Sequence, residues 1–105
     1  MRRLSEDEYL ATMESQPERV DVEQAPPFDF WPYFDALMPA EFGGQDFTAR
    51  RVAHVWRMPS GRWQHVLIED STDHNTFLVL VLNLTSMEVH GHYLLRLADT
   101  YGLDR

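Results

Sequence analysis

The feature that most constrains this chain is an unbroken run of six apolar residues, Phe77–Leu82. Successive side chains of a β-strand point to opposite faces, so a strand of this composition is buried on both faces. Its sheet then needs a covering layer on each side. The run is far shorter than the roughly 20 apolar residues of a membrane-spanning helix. We therefore expect a core strand, and 105 residues leave room for a single domain, residues 1–105.

Apolar residues alternate with a period of two on either side of this run, which is typical of half-buried strands. The pattern predicts four strands, with the bounds Ala49–Met58, Arg62–Glu69, Asn75–Leu84 and Glu88–Leu94. Two short turns, at Pro59–Gly61 and Thr85–Met87, join them in pairs as hairpins. The sequence thus predicts a four-stranded antiparallel meander.

Two segments are suited to cover the two faces of such a sheet. The aromatic segment Phe28–Met38 predicts a short helix with Pro32 in its first turn, followed by a turn at Gly43-Gly44. The last segment predicts a C-terminal helix, because apolar side chains recur at helical spacing ahead of a glycine in the C′ position: Leu94, Leu97, Ala98, Tyr101 and Gly102. The expected fold class is α+β, in the order α-α-β-β-β-β-α, with residues 28–105 as its core.

The first 27 residues differ in character from the rest. Ser5 and Glu8 have the spacing of a capping box, in which each side chain accepts a hydrogen bond from the other residue's backbone amide. A helix is therefore predicted to start after Ser5. The stretch Pro17–Pro27 is polar and acidic and ends in two prolines, a composition typical of a flexible connection. We predict that residues 1–27 form an acidic helix and a mobile connection.

Charge is concentrated in the first part of the chain. Residues 1–46 contain eleven acidic side chains and three arginines, a net charge of −8, whereas residues 47–105 contain six of each and are neutral. An acidic surface repels polyanions, so neither nucleic acid nor an anionic membrane is expected as a partner. The same field attracts a basic protein and accelerates its encounter. We expect the arginines and tryptophans of the first hairpin to pair internally, by stacking and with carboxylates.

These features favour a binding module that blocks a basic protein, such as a toxin, a nuclease or a nucleic-acid-binding protein. We hypothesise a bacterial inhibitor of the immunity or antitoxin type, or an inhibitor of host defence. In this hypothesis acidic side chains steer the encounter: Glu6, Asp7, Glu8, Glu14, Glu18, Asp21 and Glu23. Aromatic side chains anchor the contact: Tyr9, Trp31, Tyr33 and Phe34.

The histidines point to a different chemistry. His90 and His92 are one residue apart in a predicted strand, so both side chains are expected on the same face of the sheet. A hairpin register that pairs Trp56 with His65 places His54 and His65 on one face as well. A metal site built on His90 and His92, with His54 or His65 as the third ligand, is therefore an alternative hypothesis.

Other chemistry has little support in the sequence. Glu69 and Asp70 are adjacent in a strand and so point to opposite faces, and Asp73-His74 is typical of a turn. The chain has no cysteine, no phosphate-binding glycine loop and no Gly-x-Ser-x-Gly motif. We expect no enzymatic activity and no cofactor. The alternatives to a binding module are a small hydrolytic enzyme and a subunit that dimerises through a sheet edge. The lack of a signal-peptide pattern predicts a cytoplasmic protein.

Overall fold

The computed structural model describes residues 2–23, 28–37 and 46–96. The elements within these ranges are, in chain order, α1 (Glu6–Leu10), β1 (Glu18–Val20), α2 (Trp31–Leu37), β2 (Val52–Arg57), β3 (Trp63–Glu69), β4 (Thr76–Asn83) and β5 (Glu88–Arg96). The strands form one antiparallel sheet, in which their order in space is their order in the chain. The sheet is therefore a meander.

Strand β4 is the buried centre that its composition predicts. Every residue from Thr76 to Leu82 is buried, and the side chains alternate between two apolar clusters on opposite faces of the sheet. One face, called here the helix face, is centred on Leu78, Leu80 and Leu82 and is covered by Phe30, Phe34 and Leu37. The other face is centred on Phe77, Val79 and Val81 and is covered by Leu4 and Tyr9. The prediction of a two-sided core is confirmed.

Local signals place several elements where the sequence predicts them. Helix α1 has the predicted capping box, in which the Ser5 hydroxyl accepts from the Glu8 amide and the Glu8 carboxylate accepts from the Ser5 amide. Helix α2 begins where the carboxylate of Asp29 accepts from the amide of Trp31 at 3.0 Å. The first hairpin turns at Gly61, whose φ of +76° is a conformation that glycine adopts without steric cost.

The predicted fold class, α+β with a four-stranded sheet and a C-terminal helix, is wrong: the described residues form a five-stranded antiparallel sheet with two short helices, which is a mostly β fold. The segment predicted as a mobile connection contains β1, which pairs antiparallel with β2 in the register Glu18 to Arg57, Arg19 to Trp56 and Val20 to Val55. Val20 also packs against the helix-face cluster. Strand β1 therefore supplies hydrogen-bond partners to the outer edge of β2, although its three residues carry no strand pattern of their own. Residues 24–27 of the predicted connection lie outside the described residues.

The predicted C-terminal helix is also wrong where it can be compared. Residues 94–96 belong to β5, in which Leu94, Leu95 and Arg96 pair with Leu78, Phe77 and Thr76. Strand β4 is eight residues long and buried, so its backbone groups need partners along its whole length. The need of the β4 backbone for hydrogen-bond partners therefore outweighs the helical spacing that begins at Leu94. Residues 97–102 of the predicted helix, and the predicted turn at Gly43-Gly44, lie outside the described residues.

The cover of the second face comes from the start of the chain instead. Residues 2–20, called here the N-terminal strap, run from the outer edge of β5, across the sheet, to the outer edge of β2. The face beneath them is called the strap face. The predicted role of the aromatic segment, to cover one face, is confirmed by α2. No helix among residues 2–23, 28–37 and 46–96 is long and apolar enough to cross a membrane.

Candidate functional site

The strap carries most of the predicted acidic site, and its first residues are fastened to the edge of the sheet. The amide of Leu4 donates to the carbonyl of His92 at 2.8 Å, and the amide of His92 donates to the carbonyl of Arg2 at 3.0 Å. Gly91 makes this crossing possible, because a Cβ there would lie 2.7 Å from Cδ2 of Leu4 and 2.9 Å from the carbonyl oxygen of Arg2. The strap therefore begins as a short parallel bridge beside β5.

The middle of the strap is packed into the strap face. Tyr9 is fully buried, with its ring stacked on Tyr93 at a centroid distance of 4.2 Å and tilted against His65 at 5.1 Å. The hydroxyl of Thr12 donates to the carbonyl of Tyr9 at 2.7 Å and lies 2.9 Å from Nε2 of His65. Both Thr12 and His65 are buried. One apolar ring and one polar contact thus hold the strap at its centre.

The end of the strap meets the tip of the first hairpin. The carboxylate of Glu14 accepts from the amide and the hydroxyl of Ser60, and the amide of Glu14 lies 3.3 Å from the sulfur of Met58. The chain then enters β1, where Glu18 pairs with Arg57. Glu14 thus joins the acidic part of the chain to the first hairpin through a serine and not through an arginine.

The seven acidic residues predicted to steer a partner fall into two groups. Glu8 and Glu14 make internal contacts, since Glu8 completes the capping box and pairs with Arg2. The other five are exposed, and none of them takes part in an ion pair among the described residues: Glu6, Asp7, Glu18, Asp21 and Glu23. These five carboxylates define the acidic surface. Glu6, Asp7 and Glu18 lie on the strap, and Asp21 and Glu23 lie in the turn that directly follows it, where the amide of Glu23 donates to the carboxylate of Asp21.

The four predicted aromatic anchors are placed differently from one another. Tyr9 and Phe34 are core residues, with 0% and 2% of their surface exposed, so neither offers a ring to a partner in this fold. Trp31 is half-buried, and the guanidinium of Arg50 lies 5.3 Å from its ring centroid. Tyr33 is half-buried as well, with its hydroxyl 2.8 Å from Nδ1 of His92.

The histidines are divided between the two faces. The predicted hairpin register is confirmed, because Trp56 pairs with His65, and His54 and His65 both lie on the strap face. The expectation that His90 and His92 share a face is wrong. A bulge in β5 reverses the alternation at His90, so its ring contacts Trp63 at 4.9 Å on the strap face, whereas His92 contacts Tyr33 on the helix face.

The separation of the histidines bears directly on the alternative metal site. In the described part of the chain, which includes all five histidines, no group of three or more His, Asp or Glu side chains could hold a metal ion. The acidic residues at the connection between β3 and β4 make local contacts instead. Glu69 lies 3.1 Å from Nδ1 of His74 and pairs with Arg51, and Asp70 accepts from the amide and hydroxyl of Thr72.

Burial sets the titration of three histidines. Burial lowers the pKa of His65 to about 3, although its hydrogen bond to the backbone of Thr12 acts in the opposite direction. Burial and then the charges of Arg2 and Arg62 lower the pKa of His90. Burial and then the charge of Arg19 lower the pKa of His54, with Glu69 opposing that shift. All three imidazoles are therefore neutral at pH 7.

The contact between Thr12 and His65 is a feature that sequence reasoning missed. These residues are 53 positions apart, and no local pattern joins them. The available signal was weak: Thr12 lies three residues after Tyr9 and so shares a side of one helical turn with an apolar residue.

The internal stacking expected for the arginines is present, since the guanidinium of Arg62 lies 4.9 Å from the ring centroid of Trp63.

Comparison of the chain with protein-family models, with curated proteins and with solved structures finds no match. The chemistry of the acidic surface and of the strap that carries it is the basis for a functional hypothesis.

Proposed function

We propose that this chain is a small binding module that captures a basic protein through the acidic surface of its strap, as a bacterial inhibitor of the immunity, antitoxin or anti-defence type that acts in the cytoplasm. One observation carries the proposal. Five exposed carboxylates lie within residues 6–23, outside the ion pairs of the described residues. Their charge is therefore available to an external cation.

The way the strap is held strengthens this proposal. A surface that is ordered before binding loses less conformational entropy when a partner docks. The strap is anchored at the edge of β5, at Tyr9 and Thr12, and in β1, so Glu6, Asp7 and Glu18 have a defined arrangement. Charges of this kind chiefly raise the association rate and select the sign of the partner's charge.

The anchoring role is proposed for the aromatic side chains that retain exposed surface. Trp31 and Tyr33 are half-buried, and tryptophan and tyrosine are enriched among the residues that contribute most to protein interfaces. Tyr9 and Phe34, which the sequence also suggested as anchors, form the core instead. The proposed site therefore consists of the acidic surface, with Trp31 and Tyr33 as candidate contact residues.

A capture experiment under two salt conditions tests the proposal. The purified chain is immobilised and exposed to an extract of its native cells at low and at high salt, and the bound proteins are quantified by mass spectrometry. A basic protein bound at low salt is expected to be lost with the variant Glu6→Gln/Glu18→Gln/Glu23→Gln. Its association rate with the unmodified chain should fall steeply with ionic strength, because salt screens steering charges.

Glu88 provides the matched control for this test. Like Glu18 it is an exposed glutamate at the first position of a strand, but it lies outside the strap. Glu18→Gln should slow association several-fold more than Glu88→Gln at low salt. Equal effects of the two substitutions, or capture of acidic proteins only, would show that the acidic surface is not the binding site.

A further inference from the structure

One arginine of this acidic chain lies against two aromatic rings of α2. The guanidinium carbon of Arg50 is 5.3 Å from the ring centroid of Trp31 and 5.3 Å from that of Phe34. The guanidinium also forms an ion pair with the carboxylate of Asp35. Aromatic faces and a carboxylate are groups that bind guanidinium ions in proteins. Trp31, Phe34 and Asp35 therefore form a cation site, called here the α2 cation site, which Arg50 fills.

The helix itself brings the three groups of the α2 cation site together. Trp31, Phe34 and Asp35 are at positions i, i+3 and i+4 of α2, and residues with this spacing lie on one side of a helix. Phe34 is buried in the core, and the ring of Trp31 is held edge-on to it at a centroid distance of 5.1 Å. Trp31 is half-buried and Asp35 is exposed. The site is thus formed by α2 alone, and solvent reaches its carboxylate.

Arg50 is held weakly in this site. Its side chain is 48% exposed and that of Asp35 is 52% exposed, and an ion pair with this exposure contributes little to stability because water solvates both charges. The backbone of Arg50 is strained as well, since its φ of +53° lies in the left-handed region that residues with a Cβ rarely adopt. Its amide donates to the carbonyl of Phe47 at 3.0 Å, so a turn fixes the backbone. The side chain can therefore leave the rings while the turn stays in place.

We propose that the α2 cation site binds an arginine side chain of the basic partner, and that Arg50 occupies it in the free chain as an internal competitor. This inference rests on the proposed function, because it identifies the chemical group by which the partner is recognised. Arg50 shows which group the rings and the carboxylate accept. A guanidinium from the partner makes the same contacts, and Arg50 moves into solvent when it binds.

Competition by Arg50 lowers the affinity of the site for any other cation. The apparent affinity of a ligand falls in proportion to the fraction of molecules whose site is open. Removal of the Arg50 side chain is thus expected to raise the affinity for an external guanidinium. Arg50→Asn is the suitable variant, because asparagine is too short to reach the rings and adopts a positive φ more readily than arginine. The variant is therefore expected to fold.

Titration of the full chain with N-acetyl-arginine methylamide tests the site without a partner, because the guanidinium is the only charge of this compound. Binding is followed by NMR through the backbone amide signals of α2. We expect Arg50→Asn to bind the compound about fivefold more tightly than the unmodified chain, in line with the loss of an exposed ion pair and two cation–π contacts. Addition of Asp35→Asn or of Trp31→Leu to the Arg50→Asn variant should reverse that gain.

Two controls make the titration specific. Arg51→Asn removes the same charge from the neighbouring residue, whose guanidinium lies 3.5 Å from the carboxylate of Glu69 and outside the α2 cation site. This variant should bind the arginine compound no more tightly than the unmodified chain. The neutral compound N-acetyl-citrulline methylamide has nearly the same shape as the arginine compound and should bind none of the variants. Equal affinity of Arg50→Asn and Arg51→Asn, or equal binding of the two compounds, would overturn the proposal.

The capture experiment then separates this inference from the proposed function. A captured basic protein is expected to bind Arg50→Asn more tightly than Arg51→Asn. A captured basic protein that binds both variants equally would contradict this inference and leave the proposed function intact. Binding of the arginine compound without capture of any basic protein would contradict the proposed function and not the chemistry of the site.

Discussion

The hydroxyl of Thr12 and Nε2 of His65 lie 2.9 Å apart and join the strap to the centre of β3. Both groups are buried, so the hydrogen bond between them has no water to replace it. This contact and the ring of Tyr9 hold the middle of the strap on the strap face. The predictions that follow test the strap as a structural element and separate this role from partner binding.

Replacement of Thr12 by valine should weaken the strap without changing its shape. Thr12→Val keeps the approximate volume of the side chain but removes the hydroxyl that donates to the carbonyl of Tyr9 and lies 2.9 Å from Nε2 of His65. We expect the free energy of unfolding to fall by about 1–2 kcal/mol at pH 7.5, the usual cost of a buried polar group that loses its partner. Urea denaturation measures this change. Thr85→Val, at an exposed turn position, should change the stability by less than about 0.5 kcal/mol, and equal losses would argue against the contact.

Addition of a methyl group at Gly91 should displace the start of the strap. The new Cβ would approach Cδ2 of Leu4 at 2.7 Å and the carbonyl oxygen of Arg2 at 2.9 Å, so the bridge beside β5 must shift. We expect Gly91→Ala to destabilise the fold by about 1–3 kcal/mol and to accelerate hydrogen exchange of the Leu4 amide. Gly61→Ala is the control, because its Cβ meets nothing within 4 Å and its cost of about 1 kcal/mol comes from the positive φ alone. That variant should leave the Leu4 amide protected.

Tyr9 and Leu10 are neighbours in α1 with opposite environments. Tyr9 is fully buried, whereas 43% of Leu10 is exposed. Tyr9→Ala should destabilise the protein by about 3–5 kcal/mol, because it opens a cavity beneath the strap, and Leu10→Ala should cost less than about 1 kcal/mol. Thermal and urea unfolding give both values. If Tyr9→Ala kept its stability and lost only partner capture, Tyr9 would be an interface anchor and not a core residue.

Global stability should fall as the solution becomes mildly acidic. The pKa of His65 is lower in the folded chain, at about 3, than its ordinary value of 6.5, so the unfolded chain binds the proton first. The stabilising effect is complete above pH 6.5 and is lost as the pH falls towards 3, by about 1.4 kcal/mol per pH unit from this one group. Urea denaturation at pH 7.5, 6.5 and 5.5 measures the slope. A folded His65→Gln variant should show a shallower slope over this range, and an identical slope would mean that other groups dominate.

Parts of the fold that depend on nearby residues were predicted correctly. The capping box of Ser5 and Glu8, the short helix with Pro32 in its first turn and the turn at Gly61 each involve groups within a few positions of one another. The hairpin register that pairs Trp56 with His65 followed from the same turn. In the candidate site, the exposure of Glu6 and Asp7 was predictable because acidic residues in the first turn of a helix favour the solvated end of its dipole.

The errors arose where distant segments compete for the same edge or face. The bulge at His90 separates it from His92, and nothing in a run of alternating residues signals the added position. The helical spacing from Leu94 onward was misleading, because β4 needs a partner along its full length and β5 supplies it as far as Arg96. Aromatic residues also look alike in sequence, so Tyr9 and Trp31 were given one role although only Tyr9 is enclosed.

The sequence by itself determined that this chain has a central apolar strand, two hairpins around it and a concentration of negative charge ahead of them. These properties depend on composition and on contacts that are local in the chain. Only the tertiary structure decided which segment covers the second face, because the apolar surface of Phe77, Val79 and Val81 can be covered by any amphipathic segment that reaches it. The residues from Leu4 to Thr12 reach it and enclose His65, so the acidic segment became part of the core architecture instead of a mobile tail.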